Sequence, residues 1–205
     1  MTHDFHGYPT RSLANQHLRI DYLAEAGPRL VRLFLAGSDT NLLAEAPDLS
    51  WETDLGEYRI YGGHRLWHAP EAFPRTYLPD NDGLAIDEFE DSVRLRQPTE
   101  RATGIQKSME LRLEPDRPVL TVQHSLHNVG LWPVELAPWA LTQVALGGVA
   151  VLPQQAPVPS QYLPTRQLTL WSYTRLRDQR LYLDDDLALV GGQVGETPFK
   201  IGYFN

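Results

Sequence analysis

The 205-residue sequence has no cysteine, which excludes disulfides, thiolate metal sites and cysteine nucleophiles together. It also lacks a long apolar run. No segment approaches the length needed to span a bilayer, and residues 1–8 carry His3, Asp4 and His6 where a signal peptide would be apolar. Basic residues are in the minority, with 18 Lys and Arg against 26 Asp and Glu, and nowhere do they cluster densely enough to follow a phosphate backbone. The expectation is therefore no nucleic-acid partner, no membrane partner and cytoplasmic residence. A 3.6-residue apolar period and an internal repeat are missing as well, so long amphipathic helices and solenoids are not expected.

What the sequence does have is short alternation punctuated by Gly, Pro and Asp. Leu18, Ile20 and Tyr22 alternate with His17, Arg19 and Asp21, which is the period of a half-buried strand. Strands are likewise expected at 29–35, 58–61, 84–89, 92–97, 105–113, 120–126, 134–144, 149–152, 168–173, 180–183, 187–190 and 199–204. The pair at 84–97 reads as a hairpin. Lys107 is an exception on the otherwise apolar face of its strand, and His124 falls on an apolar face as a buried structural histidine. Residues 1–16 read as a flexible polar start, and residues 17–205 as one all-β, antiparallel sandwich domain. Because the last strand runs to the chain end, the sandwich is expected to be truncated there. A bare sheet edge would favour pairing with a second copy.

The densest collection of costly residue types is 61–81. Tyr61, Gly62 and Gly63 lead into His64, Arg65, Leu66 and Trp67, followed by Pro70, Glu71, Pro74, Arg75, Tyr77, Pro79, Asp80 and Asn81. The glycines permit φ > 0 or a close approach by a ligand. The prolines turn the strand into a rigid loop near Trp67. A bulged strand with Leu66 in the core is the plainer explanation, yet it leaves the concentration of His, Arg, Trp and Glu unaccounted for.

Several chemistries fit poorly. His64, His68 and Glu71 have zinc-like spacing only on a helix, which the local Gly and Pro oppose, and the run Asp184, Asp185, Asp186 has the character of a solvated turn. No metal is expected. Ser108, Ser125 and Ser172 lack the strained elbow of a hydrolase, and none of the glycine pairs opens a helix that could cradle phosphate. No cofactor is expected. Sugar recognition fits better, because it uses flat aromatic faces beside convergent polar groups. Trp67 and Trp139 offer the faces, and His64, Arg65, Glu71, Arg75 and Asp80 the donors and acceptors.

At these residues the chain resembles uncharacterised bacterial proteins of the galactose mutarotase-like superfamily. The resemblance rests on the run 62–67, on Pro70-Glu71, Arg75 and Pro79-Asp80-Asn81, and on a second block comprising 128–130, 133–140, Thr142, Gly147-Gly148 and Pro153. It implies a β-supersandwich with a carbohydrate site on a concave face, lined by His64, Arg65, Trp67, Glu71, Arg75 and Trp139. In aldose 1-epimerases of this superfamily a histidine protonates the ring oxygen and a C-terminal glutamate deprotonates the anomeric hydroxyl. Here the 139–142 strand has no histidine in the acid position, and no glutamate-bearing segment follows Asn205. His64 is the candidate acid and Glu71 a candidate base. The expected function is binding of a small-molecule sugar, with aldose 1-epimerase-like isomerisation as its catalytic form and a non-catalytic sugar-binding or assembly module as the alternative.

Overall fold

Alternating apolar residues produce an all-β antiparallel architecture. The computed structural model describes residues 3–156, 160, 162–164, 167–194 and 199–204. The chain gathers into two compact units, Met1–Val144 and Ala145–Asn205.

The first unit holds β1 (His3–Phe5), β2 (Tyr8–Ala14), β3 (Leu18–Leu23), β4 (Arg29–Leu35), β5 (Glu45–Thr53), β6 (Gly56–Gly62), β7 (His64–Ala69), β8 (Ala85–Glu88), β9 (Ser92–Arg96), β10 (Ile105–Leu113), β11 (Leu120–Asn128) and β12 (Ala137–Thr142). Six of these form one sheet in the order β1-β2-β3-β4-β7-β12, and four form a second in the order β11-β10-β9-β8. Ile20, Tyr22, Leu30 and Leu66 from the first sheet meet Val93, Leu95, Met109 and Leu111 from the second, which makes the inter-sheet core. The β5–β6 hairpin covers the opposite face of the six-stranded sheet. Tyr58 and Ile60 of the hairpin pack there with Trp67 of β7.

The N-terminal expectation needs correction. Residues 3–5 and 8–14 are not a loose polar start but β1 and β2, antiparallel to each other, with β2 continuing onto β3. Phe5 is the reason, since it is fully buried against Leu23, Val31 and Tyr61 and anchors an otherwise polar segment. Met1 and Thr2 lie outside the described residues. Among the described residues the end strands are β1 and β12 in one sheet and β11 and β8 in the other.

The glycine pair marks a corner. Tyr61, Gly62 and Gly63 all have positive φ, at 60°, 94° and 63°. They carry the chain from the hairpin into the six-stranded sheet. A Cβ on Gly63 would lie 2.0 Å from the Leu30 carbonyl oxygen, and one on Gly62 would lie 2.2 Å from that of Ala44. The close approach that glycine permits is therefore to the protein's own backbone rather than to a ligand.

The second unit contains β13 (Val149–Pro153), β14 (Gln167–Leu170), β15 (Leu181–Leu183), β16 (Leu187–Gly191) and β17 (Ile201–Phe204). β16 lies between β13 and β15, and β14 pairs with β17. The run 184–186 is a turn between β15 and β16, in which the Asp185 amide donates to Asp184 Oδ1. The irregular connection expected over 153–164 lies partly outside the described residues, as does Asn205.

Candidate functional site

β7 is an inner strand with β4 on one side and β12 on the other. A strand alternates its side chains between faces, so adjacent residues of β7 cannot share a pocket. The register pairs His64 with Thr142, Leu66 with Ala140 and His68 with Pro138 on one face, and Arg65 with Leu141 and Trp67 with Trp139 on the other. Leu66 belongs to the inter-sheet core and Trp67 to the hairpin cluster, which assigns the two faces. The six residues expected to line one pocket are consequently divided among separate environments.

His64 faces the four-stranded sheet. Its Nδ1 lies 2.7 Å from Thr142 Oγ1 and its Nε2 lies 2.8 Å from His124 Nε2. One of the two imidazoles must donate and the other accept, so both rings cannot be protonated without losing that bond. Burial, then the neighbouring His124, Arg65 and Arg29, push the His64 imidazole down to about 4. At neutral pH it is an uncharged ring with both nitrogens engaged, a poor state for a general acid. His124 is half-buried rather than buried, and burial lowers its pKa as well.

Arg65, Trp67 and Trp139 do meet, on the other face. The Arg65 guanidinium carbon lies 4.6 Å from the centre of the Trp67 ring, and the Trp67 and Trp139 ring centres are 5.2 Å apart, edge to face. Trp67 donates through its indole N–H to the Tyr58 hydroxyl at 2.7 Å. Arg65 is only 5% exposed, donates from Nη1 to Gln143 Oε1 at 2.7 Å, and leaves its Nε without a partner. Among the described residues no carboxylate pairs with it. Its cross-strand neighbour on β4 is Arg29, whose own carboxylate is Asp80, 2.7 Å away. Burial lowers the pKa of Arg65, and Arg29 adds to the effect.

Glu71 and Arg75 stand apart from both groups. Glu71 is exposed and accepts a hydrogen bond from the Tyr77 hydroxyl. Arg75 opens a single 3-10 turn, Arg75–Tyr77, and its Nη1 donates to Nδ1 of His68 at 3.2 Å. In the sequence His68 offers only a metal-ligand spacing. It sits instead at the centre of a buried network, with its Nε2 3.2 Å from Glu100 Oε2. Glu100 also receives Lys107 Nζ at 2.7 Å, Gln97 Nε2 at 3.2 Å and the Thr103 hydroxyl at 2.6 Å. Burial works to raise the Glu100 pKa, but His68, Lys107 and Thr103 more than reverse it and hold the carboxyl down at about 2. The one signal of this network in the sequence was Lys107 on an apolar face.

His64 and His68 share a face of β7, yet each is bound to a different set of partners. Among the described residues no group of three or more His, Asp or Glu is arranged to hold a metal ion. Nor, among them, is any helix long and apolar enough to cross a membrane. No family model, curated protein or solved structure matches the chain.

Proposed function

We propose that the protein binds a carbohydrate at the Arg65, Trp67, Trp139 and Gln143 face of β7, and that it is a sandwich of the galactose mutarotase-like kind. The observation that carries this reading is Arg65: a buried guanidinium lying over the Trp67 indole, which itself meets Trp139 edge to face, with no carboxylate partner among the described residues and its Nε unpaired. The half-buried Trp139 offers a flat face for the C–H side of a sugar ring, and the half-buried Gln143 amide a polar group for its hydroxyls. Gln143 Oε1 accepts from Arg65 Nη1 and fixes the guanidinium.

Within this reading, non-catalytic binding is favoured over epimerisation. His64 lies on the opposite face from Arg65, its ring is neutral at physiological pH, and both of its nitrogens are engaged. Glu71 is bound to Tyr77 and belongs to a different segment. An epimerase requires an acid and a base placed across one sugar, and these two residues do not meet that requirement.

Saturation-transfer NMR on a panel of neutral aldoses tests the proposal, using the native protein alongside Trp139→Ala and Gln143→Ala. Transfer to at least one aldose that falls several-fold in both variants, with no anomeric exchange, is the expected result. Transfer that both variants leave intact, or none to any aldose, overturns the assignment. Anomeric exchange abolished by His64→Ala would restore the epimerase reading.

A further inference from the structure

Arg75 borders a cleft of about 480 Å³ that the carbohydrate reading does not use. Its walls are largely aliphatic, with Leu55, Ile105, Val134 and Leu136 among them. The size is within the range of small-molecule sites. Its cation is unusual in how it is held. Arg75 Nη1 donates to His68 Nδ1, and Nη2 donates to the Pro70 carbonyl, so both acceptors are neutral. Among the described residues no carboxylate forms an ion pair with it. A guanidinium has five N–H donors, and these two bonds leave three of them open.

The arrangement behind Arg75 fixes its orientation. Because the guanidinium can only donate, His68 Nδ1 must be the accepting nitrogen, which leaves the proton on Nε2 facing Glu100. Glu100 is in turn anchored by Lys107, Thr103 and Gln97. The chain from Lys107 to Arg75 thus ends in a pre-oriented planar cation that, among the described residues, no carboxylate pairs with. That geometry suits a carboxylate, which a guanidinium binds through two parallel N–H bonds.

We infer that this cleft binds a small organic monocarboxylate with an apolar body, the carboxylate on Arg75 and the body against Leu55, Ile105, Val134 and Leu136. Glu135 lines the same cleft, and its charge favours a monoanion over a dianionic phosphate. This site is independent of the one at Arg65, and neither depends on a sugar binding at the other.

The test is isothermal titration of the full chain with hexanoate and with its neutral isostere hexanamide, in the native protein, Arg75→Gln, Arg75→Lys and Glu135→Gln. Hexanoate is expected to bind at least about ten-fold more tightly than hexanamide, as a charge-assisted pair should. Arg75→Gln should erase that preference, and Arg75→Lys should retain only part of it. Binding should also shift the imidazole ¹⁵N resonances of His68, which a site elsewhere would leave unmoved. Equal affinities for the two probes, no hexanoate binding, or a preference that survives Arg75→Gln each overturn the inference. Hexanoate binding confined to Glu135→Gln overturns it too, since Glu135 would then be the counter-ion of Arg75.

Discussion

His64 Nε2 lies 2.8 Å from His124 Nε2, so a strand of the six-stranded sheet is bonded to a strand of the four-stranded sheet by a pair of imidazoles that share one proton. The pair makes stability pH-dependent. In the unfolded chain a histidine titrates near 6.5, whereas His64 in the fold is held at about 4. Between these values the unfolded state binds more protons, so stability is full above about pH 6.5 and falls as the pH drops toward 4. A difference of that size is worth at most about 3.4 kcal/mol, reduced by the solvent screening that the partly exposed ring retains. The urea midpoint should therefore fall across this window. The His64 ring resonances should titrate near the lower value, and in His124→Leu they should move upward because a repulsive neighbour is gone. A His64 titration near its ordinary value would refute the account.

Arg29 and Asp80 form a buried ion pair 2.7 Å apart beside a second buried arginine, Arg65. Asp80→Asn removes the only carboxylate paired with Arg29 among the described residues and leaves two neighbouring guanidinium groups uncompensated. The expected cost is about 3 to 5 kcal/mol, the usual loss when one partner of a buried pair is removed. Replacing both members, Arg29→Met with Asp80→Leu, should cost less than the single change. Urea denaturation of the two variants decides the matter, and a single variant as stable as the native chain would show that the pair contributes nothing.

The corner at 61–63 predicts a backbone effect. Gly63→Ala places a Cβ 2.0 Å from the Leu30 carbonyl oxygen at a φ of 63°. Strain of about 1 kcal/mol for the left-handed backbone adds to the clash, which can be relieved only by moving β4 away from β7. A fall in Tm of several degrees is expected. Gly37→Ala is the control, because its φ is also positive, at 78°, but nothing lies within 4 Å of the added carbon. Equal losses in the two variants would mean that close packing at Gly63 is unimportant.

Strand positions were legible because alternation is a local property. The strands over 29–35 and 105–113 occur with the residues expected of them, and most others differ by a few residues at their ends. Loss of alternation explains what was missed. β1 and β2 are polar apart from Phe5 and a few others, and only the distant Leu23, Val31 and Tyr61 show why they are ordered. The site was harder to read for a related reason. Residues 64–67 are adjacent in the sequence, and the same period of two that identified β7 as a strand sends His64 and Arg65 to opposite faces. Glu100 left no local signal at all, since His68 and Lys107 reach it from two different strands.

Lys107 is the charged exception on the buried face of β10. An ammonium group on the core face of β10 is tolerated because Glu100 Oε1 lies 2.7 Å from it, with both side chains almost wholly buried. Lys107→Met leaves that carboxylate with only His68, Thr103 and Gln97, at an expected cost of about 3 kcal/mol at pH 7. Adding Glu100→Gln should recover part of the loss, because the uncompensated charge is then removed. The folded Glu100 pKa of about 2 lies below the ordinary carboxylate value of 4.5, so its contribution is complete above about pH 4.5 and is lost as the pH falls toward 2. In Lys107→Met the same loss should begin at a higher pH, since the nearest cation is missing. Urea midpoints at pH 7 and pH 3 measure both effects. The native chain should exceed the variant by less at the lower pH, where Glu100 begins to protonate and its attraction to Lys107 fades. A gap that is constant with pH would mean that Lys107 acts through packing of its alkyl chain and not through its charge.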